Sequence, residues 1–216
     1  MEKNRLLVVY NICGISGKDN IEYYIPAVES LLENIKDNDR VIISGCVTLP
    51  AHKDRLRKHF GNKVDYIWID EIRTISFTFN KAVMSSVQNY GSFEGYLYVD
   101  SGCMLENPET INEMYTTFTT TDAHMVSVLT DDDSGETSWF GKDLEANEKG
   151  FRVPVGKALN LHVQIFSEEL RVAYGNILPD IFASYCMESI FTFLCAAIHG
   201  SWIVRTDHVV HHAWSL

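Results

Sequence analysis

The sequence predicts a single α/β domain: a mostly parallel central sheet flanked by helices, with a less regular C-terminal half. The 216-residue chain is 46% hydrophobic and 22% charged, which is typical of one soluble globular domain. Its first half alternates apolar runs with segments of helical periodicity. The apolar runs show little polar alternation, as expected for strands that helices cover on both faces.

Four apolar runs in the first half predict strands, and apolar residues at helical spacing between them predict helices. The predicted strands are Leu6–Ile12, Arg40–Val47, Val64–Ile69 and Tyr96–Val99. The predicted helices are Ile25–Ile35, Lys53–Phe60 and Phe79–Tyr90. This alternation indicates a parallel sheet, because parallel neighbours need a crossover connection that is usually helical.

The second half has weaker periodicity. It predicts, in order, a helix over Pro108–Phe118, a strand over Met125–Leu129, a polar excursion over Ser138–Gly156, a strand over Leu159–Phe166, a helix over Asp180–His199 and a strand over Trp202–Arg205. A histidine-rich tail follows the last strand. In open α/β sheets ligands bind at the carboxyl ends of the strands, so the residues after each strand are the first candidates for a site.

Charge and composition narrow the classes of partner. The net charge of −11 argues against nucleic acid or an anionic membrane surface as the main partner. The longest uncharged run, Ser189–Val204, is shorter than the roughly 20 residues of a membrane span. The five cysteines include no CxxC pair, so we expect reduced, mostly buried thiols in a cytoplasmic protein.

No glycine-rich phosphate loop follows the first strand. Gly14–Asp19 lies in the expected place, but the first glycine of a P-loop would fall on Ile12, and Asp19 replaces Ser or Thr. A phosphate ligand would therefore need another source of positive charge. A divalent metal on a carboxylate is the obvious substitute.

Asp100 is the leading candidate for that carboxylate. It ends the apolar strand Tyr96–Val99 and is followed by Ser101 and Gly102. An acid at this point is poorly explained by packing, and a nearby glycine allows close approach of the backbone to a ligand. The alternative is that Asp100 caps the turn before the next helix.

This segment resembles the hhhhDxD motif of GT-A nucleotide-sugar glycosyltransferases. The resemblance implies that Asp100 holds Mn²⁺ or Mg²⁺ on a nucleotide diphosphate, with Ser101 and Gly102 at the substrate. Gly102 replaces the second acid of the motif. The resemblance then implies a further metal ligand from elsewhere in the chain.

Two other segments resemble the same class. Phe79 and Asn80 resemble the helix start that flanks the donor ribose and sugar. Glu188, twelve residues before Gly200, resembles the acid of the "ED…G" helix that carries the catalytic base of inverting members. Ser189 replaces the usual Asp, which leaves a retaining reaction as an alternative.

The histidines of the tail resemble the C-terminal metal ligand of several GT-A families. His211 is the favoured ligand, with His212 and His208 in reserve. From the residues alone, a packed or solvent-facing histidine cluster is the alternative. We expect the tail to return to the edge of Asp100 if the last strand is antiparallel to its neighbour and a reversing turn follows.

Other polar and aromatic residues near strand ends and in the excursion are candidate ligand contacts. Tyr10 is predicted to stack on the nucleotide base, and Asn11 and Asp70 to read base and ribose. Arg73 either reaches a phosphate or pairs with a nearby acid. Trp139 either stacks on a sugar or belongs to a satellite core.

An acidic run, Asp131–Asp133, follows the predicted strand Met125–Leu129. It faces the acceptor, with Asp132 as a second catalytic candidate, or it is itself the metal site. A solvated loop is the alternative. The run also faintly resembles the DxD of aspartyl-phosphate phosphatases.

The sequence thus predicts a metal-dependent transferase that moves a sugar from a nucleotide diphosphate sugar, UDP by preference, to a hydroxyl of a glycan or glycoprotein. Residues 1–102 would bind the nucleotide and residues 103–216 the acceptor. The compact form resembles glycosyltransferase domains of large algal viruses, which implies host cytoplasm. The alternatives are a sugar-1-phosphate nucleotidyltransferase and a binding module without catalysis.

Overall fold

The computed structural model describes six stretches of the chain. They are residues 4–13, 21–131, 146–147, 150–155, 162–178 and 187–212, without the side chains at 13, 146–147, 151 and 187–191. Every structural statement below concerns these residues.

The described strands form a ten-stranded sheet in the order β3-β2-β1-β4-β9-β6-β10-β8-β7, with β5 paired to β10. The strands are β1 Asn4–Cys13, β2 Arg40–Cys46, β3 Asp65–Ile69, β4 Phe93–Asp100, β5 Cys103–Met104, β6 Ala123–Thr130, β7 Ala146–Asn147, β8 Gly150–Arg152, β9 Val163–Ser167 and β10 Ser201–His212. The helices are α1 Ile21–Asn34, α2 Pro50–Phe60, α3 Ile75–Tyr90, α4 Thr110–Thr120, α5 Glu168–Tyr174 and α6 Met187–Ala197.

Strand direction brings several segment ends to one edge of the sheet. Strands β1 to β4 are parallel to one another, and β9 is antiparallel to both β4 and β6. Strand β6 therefore runs with β4, and β10 is parallel to β6. The carboxyl ends of β1, β4, β6 and β10 and the amino end of β9 share one edge, which we call the carboxyl edge.

Both faces of the sheet are covered, which confirms the prediction from the continuous apolar runs. Leu6 and Val8 of β1 pack in one buried cluster with residues of α1, α2 and α4. The alternating residues Leu7 and Val9 pack in a second cluster with residues of α3, α5 and α6. Cys46, Cys103 and Cys195 form no disulfide and are buried, as predicted.

The start of α3 differs from the prediction. The helix begins at Ile75 rather than Phe79, because the Thr74 side chain accepts a hydrogen bond from the Phe77 N–H at 3.1 Å. This is an N-cap that periodicity of apolar residues does not reveal. Residues 79 and 80 therefore lie in the second turn, inside the core.

The second half departs further from the prediction. Helix α5 was not predicted; Ser167 caps it by accepting from the Leu170 N–H at 3.1 Å. Strand β9 begins at Val163, and β7 and β8 lie within the segment predicted to be a polar excursion. Helix α6 covers the second part of the predicted Asp180–His199 helix, and the first part lies outside the described residues.

Strand β10 is the largest correction. It runs over Ser201–His212 instead of Trp202–Arg205. It is antiparallel to β8 on one side, as expected, and parallel to β6 on the other. A register shift between Arg205 and Val209 sets three residues outside the ladder, after which pairing with β6 resumes. Among the described helices, none is long and apolar enough to cross a membrane.

Candidate active site

Residues at the ends of five strands lie at the carboxyl edge. Asn11 of β1 lies opposite Asp100 of β4 in the parallel register. Asp131 directly follows β6, and His211 and His212 end β10. His162 directly precedes β9 and arrives at the same edge because that strand runs in the opposite direction.

Asp100 is held by its neighbours while its carboxylate stays partly accessible. Its backbone N–H donates to the His162 carbonyl at 2.7 Å, and its Oδ1 accepts from the Ser101 N–H at 2.8 Å. Its Oδ2 lies 3.7 Å from His162 Nδ1, and 20% of the side chain is exposed. The carboxylate is therefore oriented and can accept a further ligand.

Gly102 replaces the second acid of the resembled motif for a conformational reason. Its φ is +87°, in the left-handed region that glycine adopts without strain. Its N–H donates to the Tyr10 hydroxyl at 3.0 Å. The turn that follows Asp100 thus depends on the hydrogen atom that glycine carries in place of a side chain.

The structure does not support the predicted stacking of Tyr10 on a nucleotide base. The residue is fully buried, with its ring edge-to-face against Tyr24 at 6.3 Å between centroids. Burial raises the pKa of Tyr10 well above its ordinary value, so the phenol stays protonated. The Tyr10 hydroxyl instead accepts the Gly102 N–H and so stabilises the turn that follows Asp100.

Asn11 also lies behind the site. It is 2% exposed, its Oδ1 accepts from Thr78 Oγ1 at 2.8 Å, and its Nδ2 donates to the Ile75 carbonyl at 3.3 Å. The buried phenol of Tyr98 hydrogen-bonds with both Asn11 and Asp100. Burial, reinforced by the negative charge of Asp100, raises the pKa of Tyr98, which keeps it a proton donor to that carboxylate.

Sequence reasoning missed Tyr98, although it is two residues before Asp100 and so on the same face of β4. A tyrosine within an apolar run is readily interpreted as a packing residue, so its polar group is overlooked. Its hydroxyl bonds to Asp100, whereas that of Tyr96, on the same strand, bonds to Glu168.

Phe79 and Asn80 belong to the core, contrary to their predicted place at the donor sugar. Phe79 is fully buried, with its ring 5.5 Å from that of Tyr98. The Asn80 amide donates to the Leu178 carbonyl at 2.6 Å and accepts from the Leu178 N–H at 3.1 Å. The early start of α3 explains both positions.

Asp70 and Arg73 are exposed after β3 and remain predictions as ligand contacts. Asp70 accepts from Lys53 Nζ at 2.8 Å, and this hydrogen bond lowers the pKa of its carboxyl. Arg73 pairs with Glu71, which was the alternative to a phosphate contact.

The tail reaches the carboxyl edge, as predicted, but by continued parallel pairing rather than by a reversing turn. Asp131 fixes its end: His211 Nδ1 hydrogen-bonds to Oδ2, and the His212 N–H donates to Oδ1 at 2.8 Å. In the ladder of β10 and β5, His212 lies opposite Cys103. The His212 ring centroid is 4.4 Å from that of His162.

Ligand atoms of Cys103, His162 and His212 all lie within 4.8 Å of one another, so these residues could hold a metal ion. Glu113, Asp207 and His208 meet the same criterion. There the Arg205 guanidinium already bonds both carboxylates. The first group is therefore the better candidate among the described residues.

Cys103 and His162 were not predicted as site residues. His162 falls inside the predicted strand Leu159–Phe166, and only the direction of β9 brings it to the carboxyl edge. Cys103 was predicted as a buried thiol, which is correct, and its place opposite His212 depends on a two-residue strand too short to detect from periodicity.

Three predicted site residues fall wholly or partly outside the described part of the chain. Asp132 and Trp139 lie outside the described residues, and Glu188 has a described backbone in the first turn of α6 but no described side chain. Their predicted roles stay predictions.

No family model matches the sequence, and no curated protein does so either. Solved structures do match. A mannosyltransferase, PcManGT from Pyrobaculum calidifontis in complex with GDP-Man and Mn²⁺, is 12% identical with a TM-score of 0.74, over 98% of this chain and 57% of that one. TarS residues 1–349 from S. aureus, a glycosyltransferase, is 13% identical with a TM-score of 0.66, over 96% of this chain and 60% of that one.

The chain spans less than two thirds of each of these two structures. At such low identity the likeness concerns the fold. The chain has a GT-A-like glycosyltransferase fold.

Proposed function

We propose that this chain is a metal-dependent glycosyltransferase that moves a sugar from a nucleotide diphosphate sugar to an acceptor hydroxyl. The observation that carries the proposal is the partly exposed Asp100 carboxylate at the carboxyl edge, with imidazoles from β10 and from the start of β9 beside it. Both structural neighbours are glycosyltransferases, and the mannosyltransferase was solved in complex with GDP-Man and Mn²⁺.

The residues at this edge fit a divalent cation. Asp100 offers a carboxylate oxygen and His212 an imidazole, a mixture that Mn²⁺ accepts. His211 was the favoured candidate and His212 a reserve. We assign the role to His212, because its ring lies 4.4 Å from that of His162, whereas His211 is paired with Asp131. When bound, the cation would neutralise charge on the leaving diphosphate.

The chain's own residues orient and support this cation site. Tyr98 donates to the Asp100 carboxylate and stays protonated because burial raises its pKa. Ser101 and Gly102 shape the turn that would lie against the diphosphate. Glu188 is proposed to take the proton from the acceptor hydroxyl oxygen, and Asp132 is the second candidate for that step.

The donor is proposed to be a UDP-sugar and the acceptor a glycan or glycoprotein hydroxyl. GDP-sugars are the second candidate, because GDP-Man is the ligand of the mannosyltransferase complex. A binding module without catalysis is favoured by Gly102 and Ser189, which stand where the resembled motifs have acids.

The test is release of nucleoside diphosphate from UDP- and GDP-sugars with Mn²⁺ or Mg²⁺. We expect Asp100→Asn to reduce release by about 100-fold, since a ligand to the cation is weakened. Asp54→Asn is the matched control, because that carboxylate on α2 is 80% exposed. Parent protein that binds the nucleotide but releases none would establish the binding module instead.

A further inference from the structure

We propose that Cys103, His162 and His212 form a transition-metal site that prefers Zn²⁺ to Mn²⁺ or Mg²⁺. The assignment deepens the proposed function by naming the metal class of that edge. It rests on the proposed function for what the metal does there, but not for whether the metal binds.

Three segments far apart in the chain build this site. Cys103 follows the Gly102 turn, and β5 holds it opposite His212 of β10. His162 precedes β9, and its carbonyl accepts the Asp100 N–H, which ties the segment to β4. Strand pairing and a backbone hydrogen bond thus hold the three residues in place.

The distances are close to those of a zinc site. Ligand atoms of the three residues lie within 4.8 Å of one another. Tetrahedral Zn²⁺ with Zn–S and Zn–N bonds of ordinary length sets its ligand atoms roughly 3.5 Å apart. The ligand atoms would have to come closer together by up to about 1.3 Å when the ion binds.

The donor chemistry determines the preference. Thiolate and imidazole ligands favour Zn²⁺, whereas Mn²⁺ and Mg²⁺ favour carboxylate, carbonyl and water oxygens. Cys103 is fully buried and His212 is 6% exposed, so both would reach a metal in a largely water-free environment. Three protein ligands leave a fourth position open, as in zinc sites that also bind a substrate or water.

Asp100, which is proposed to share the cation with His212, lies next to these three ligands. Its Oδ2 is 3.7 Å from His162 Nδ1. Within the described residues the other metal-like cluster, at Glu113, already holds the cationic guanidinium of Arg205. That guanidinium already neutralises the carboxylates that would otherwise attract a metal ion.

The test uses Co²⁺ as a spectroscopic substitute for Zn²⁺ on the full chain after EDTA treatment, with no nucleotide present. Thiolate ligation of Co²⁺ gives a charge-transfer band in the near ultraviolet. We expect this band in the parent protein, its loss in Cys103→Ser, and its displacement by Zn²⁺ but not by Mg²⁺.

Cys195→Ser is the matched control, because Cys195 is also a buried free thiol but lies on α6. It should retain the band. His212→Asn should weaken Zn²⁺ affinity about 10- to 100-fold. It provides a second measurement if Cys103→Ser fails to fold, as judged by far-ultraviolet circular dichroism.

The absence of a thiolate band in the parent would overturn the proposal, and so would a band that persists in folded Cys103→Ser. Zn²⁺ affinity unchanged in His212→Asn would do the same. A parent with the band but without turnover on any nucleotide sugar would contradict the proposed function alone. Turnover without the band would contradict this inference alone.

Discussion

The Asp100 carboxylate depends on residues that a ligand need not touch. Ser101 donates to it from the backbone, and Tyr98 donates to it from the same face of β4. The acid itself is predictable from sequence, because a carboxylate after an apolar strand is a local pattern. Tyr98 and Ser101 are equally local, whereas the bond from the Asp100 N–H to the His162 carbonyl is not predictable, because it depends on which strands pair.

We expect Tyr98→Phe to weaken metal-dependent nucleotide binding about 10-fold, because Asp100 loses a hydrogen bond that orients it. The fold should lose about 1 kcal/mol, the usual cost of one such bond. Isothermal titration with Mn²⁺ and UDP measures the first effect, and urea unfolding measures the second.

Tyr96→Phe is the control for this variant. Tyr96 is on the same strand, and its hydroxyl donates to Glu168 at 2.6 Å, away from the carboxyl edge. It should lose a similar amount of stability and keep its nucleotide affinity. Equal affinities in the two variants would show that Tyr98 does not position Asp100.

Glu188→Gln tests the proposed base. If Glu188 takes the acceptor proton, the transfer rate should fall about 10²- to 10⁴-fold while nucleotide binding persists. Steady-state kinetics with parallel binding measurements separate the two effects. Glu169→Gln on α5, where the side chain is exposed, should change neither. A full rate in Glu188→Gln would move the role to Asp132.

At the scale of elements, only the first part of strand β10 is predictable from the sequence. Trp202–Arg205 is apolar enough to be recognised as a strand, but the polar residues 206–208 conceal its continuation. The register shift sets those residues outside the ladder, and pairing with β6 then carries the strand on to His212. Parallel strands β1 to β4 were predictable, because each helix between them specifies the direction of the next strand.

The register shift in β10 is stabilised by Arg205. Its guanidinium is 5% exposed and donates to Glu113 Oε2 at 2.6 Å and to Asp207 Oδ1 at 2.9 Å. It also donates to the Glu113 carbonyl and to Thr117 Oγ1, both at 2.9 Å. One side chain thereby joins α4 to Asp207, which lies within the shift.

Arg205→Met should lower the free energy of unfolding by about 1.5–3 kcal/mol, because buried hydrogen bonds to charged partners are lost. Arg57→Met is the comparison, since the Arg57 guanidinium is half-exposed and lies 3.9 Å from an exposed Asp54. That variant should change stability by about 1 kcal/mol or less. Equal losses in chemical denaturation would contradict the assigned role.

The same network predicts an effect of acid. The hydrogen bond from Arg205 lowers the pKa of Asp207, and a hydrogen bond with His208, followed by the charge of Arg205, lowers that of Glu113. Their stabilisation is complete above the unfolded values of about 4 and is lost as the pH falls through the folded values. Arg205→Met should therefore lose less stability than the parent between neutral pH and acid, which urea unfolding at a series of pH values measures.

At the scale of the whole molecule, the negative charge of the chain disfavours a phosphate ligand, yet the fold gathers candidate metal ligands at one edge of the sheet. The net charge is −11, and the sequence has no glycine-rich phosphate loop after β1. A nucleotide diphosphate would then meet repulsion rather than attraction from most of the surface. The carboxyl edge offers the groups that would hold a cation between the protein and the diphosphate.

This arrangement predicts that nucleotide and metal bind together. UDP at 100 times its Kd should stabilise the fold by about 2.7 kcal/mol when Mn²⁺ or Zn²⁺ is present. For a chain of this size that corresponds to a rise in Tm of roughly 5–10 °C. In EDTA the rise should vanish, because the diphosphate then lacks its bridge to Asp100 and His212.

Uridine, which has no phosphates, should give no metal-dependent rise, and Asp100→Asn should lose most of the UDP effect while Asp54→Asn retains it. An equal rise with and without EDTA would mean that the protein itself neutralises the diphosphate, and the metal-bridged site would have to be abandoned.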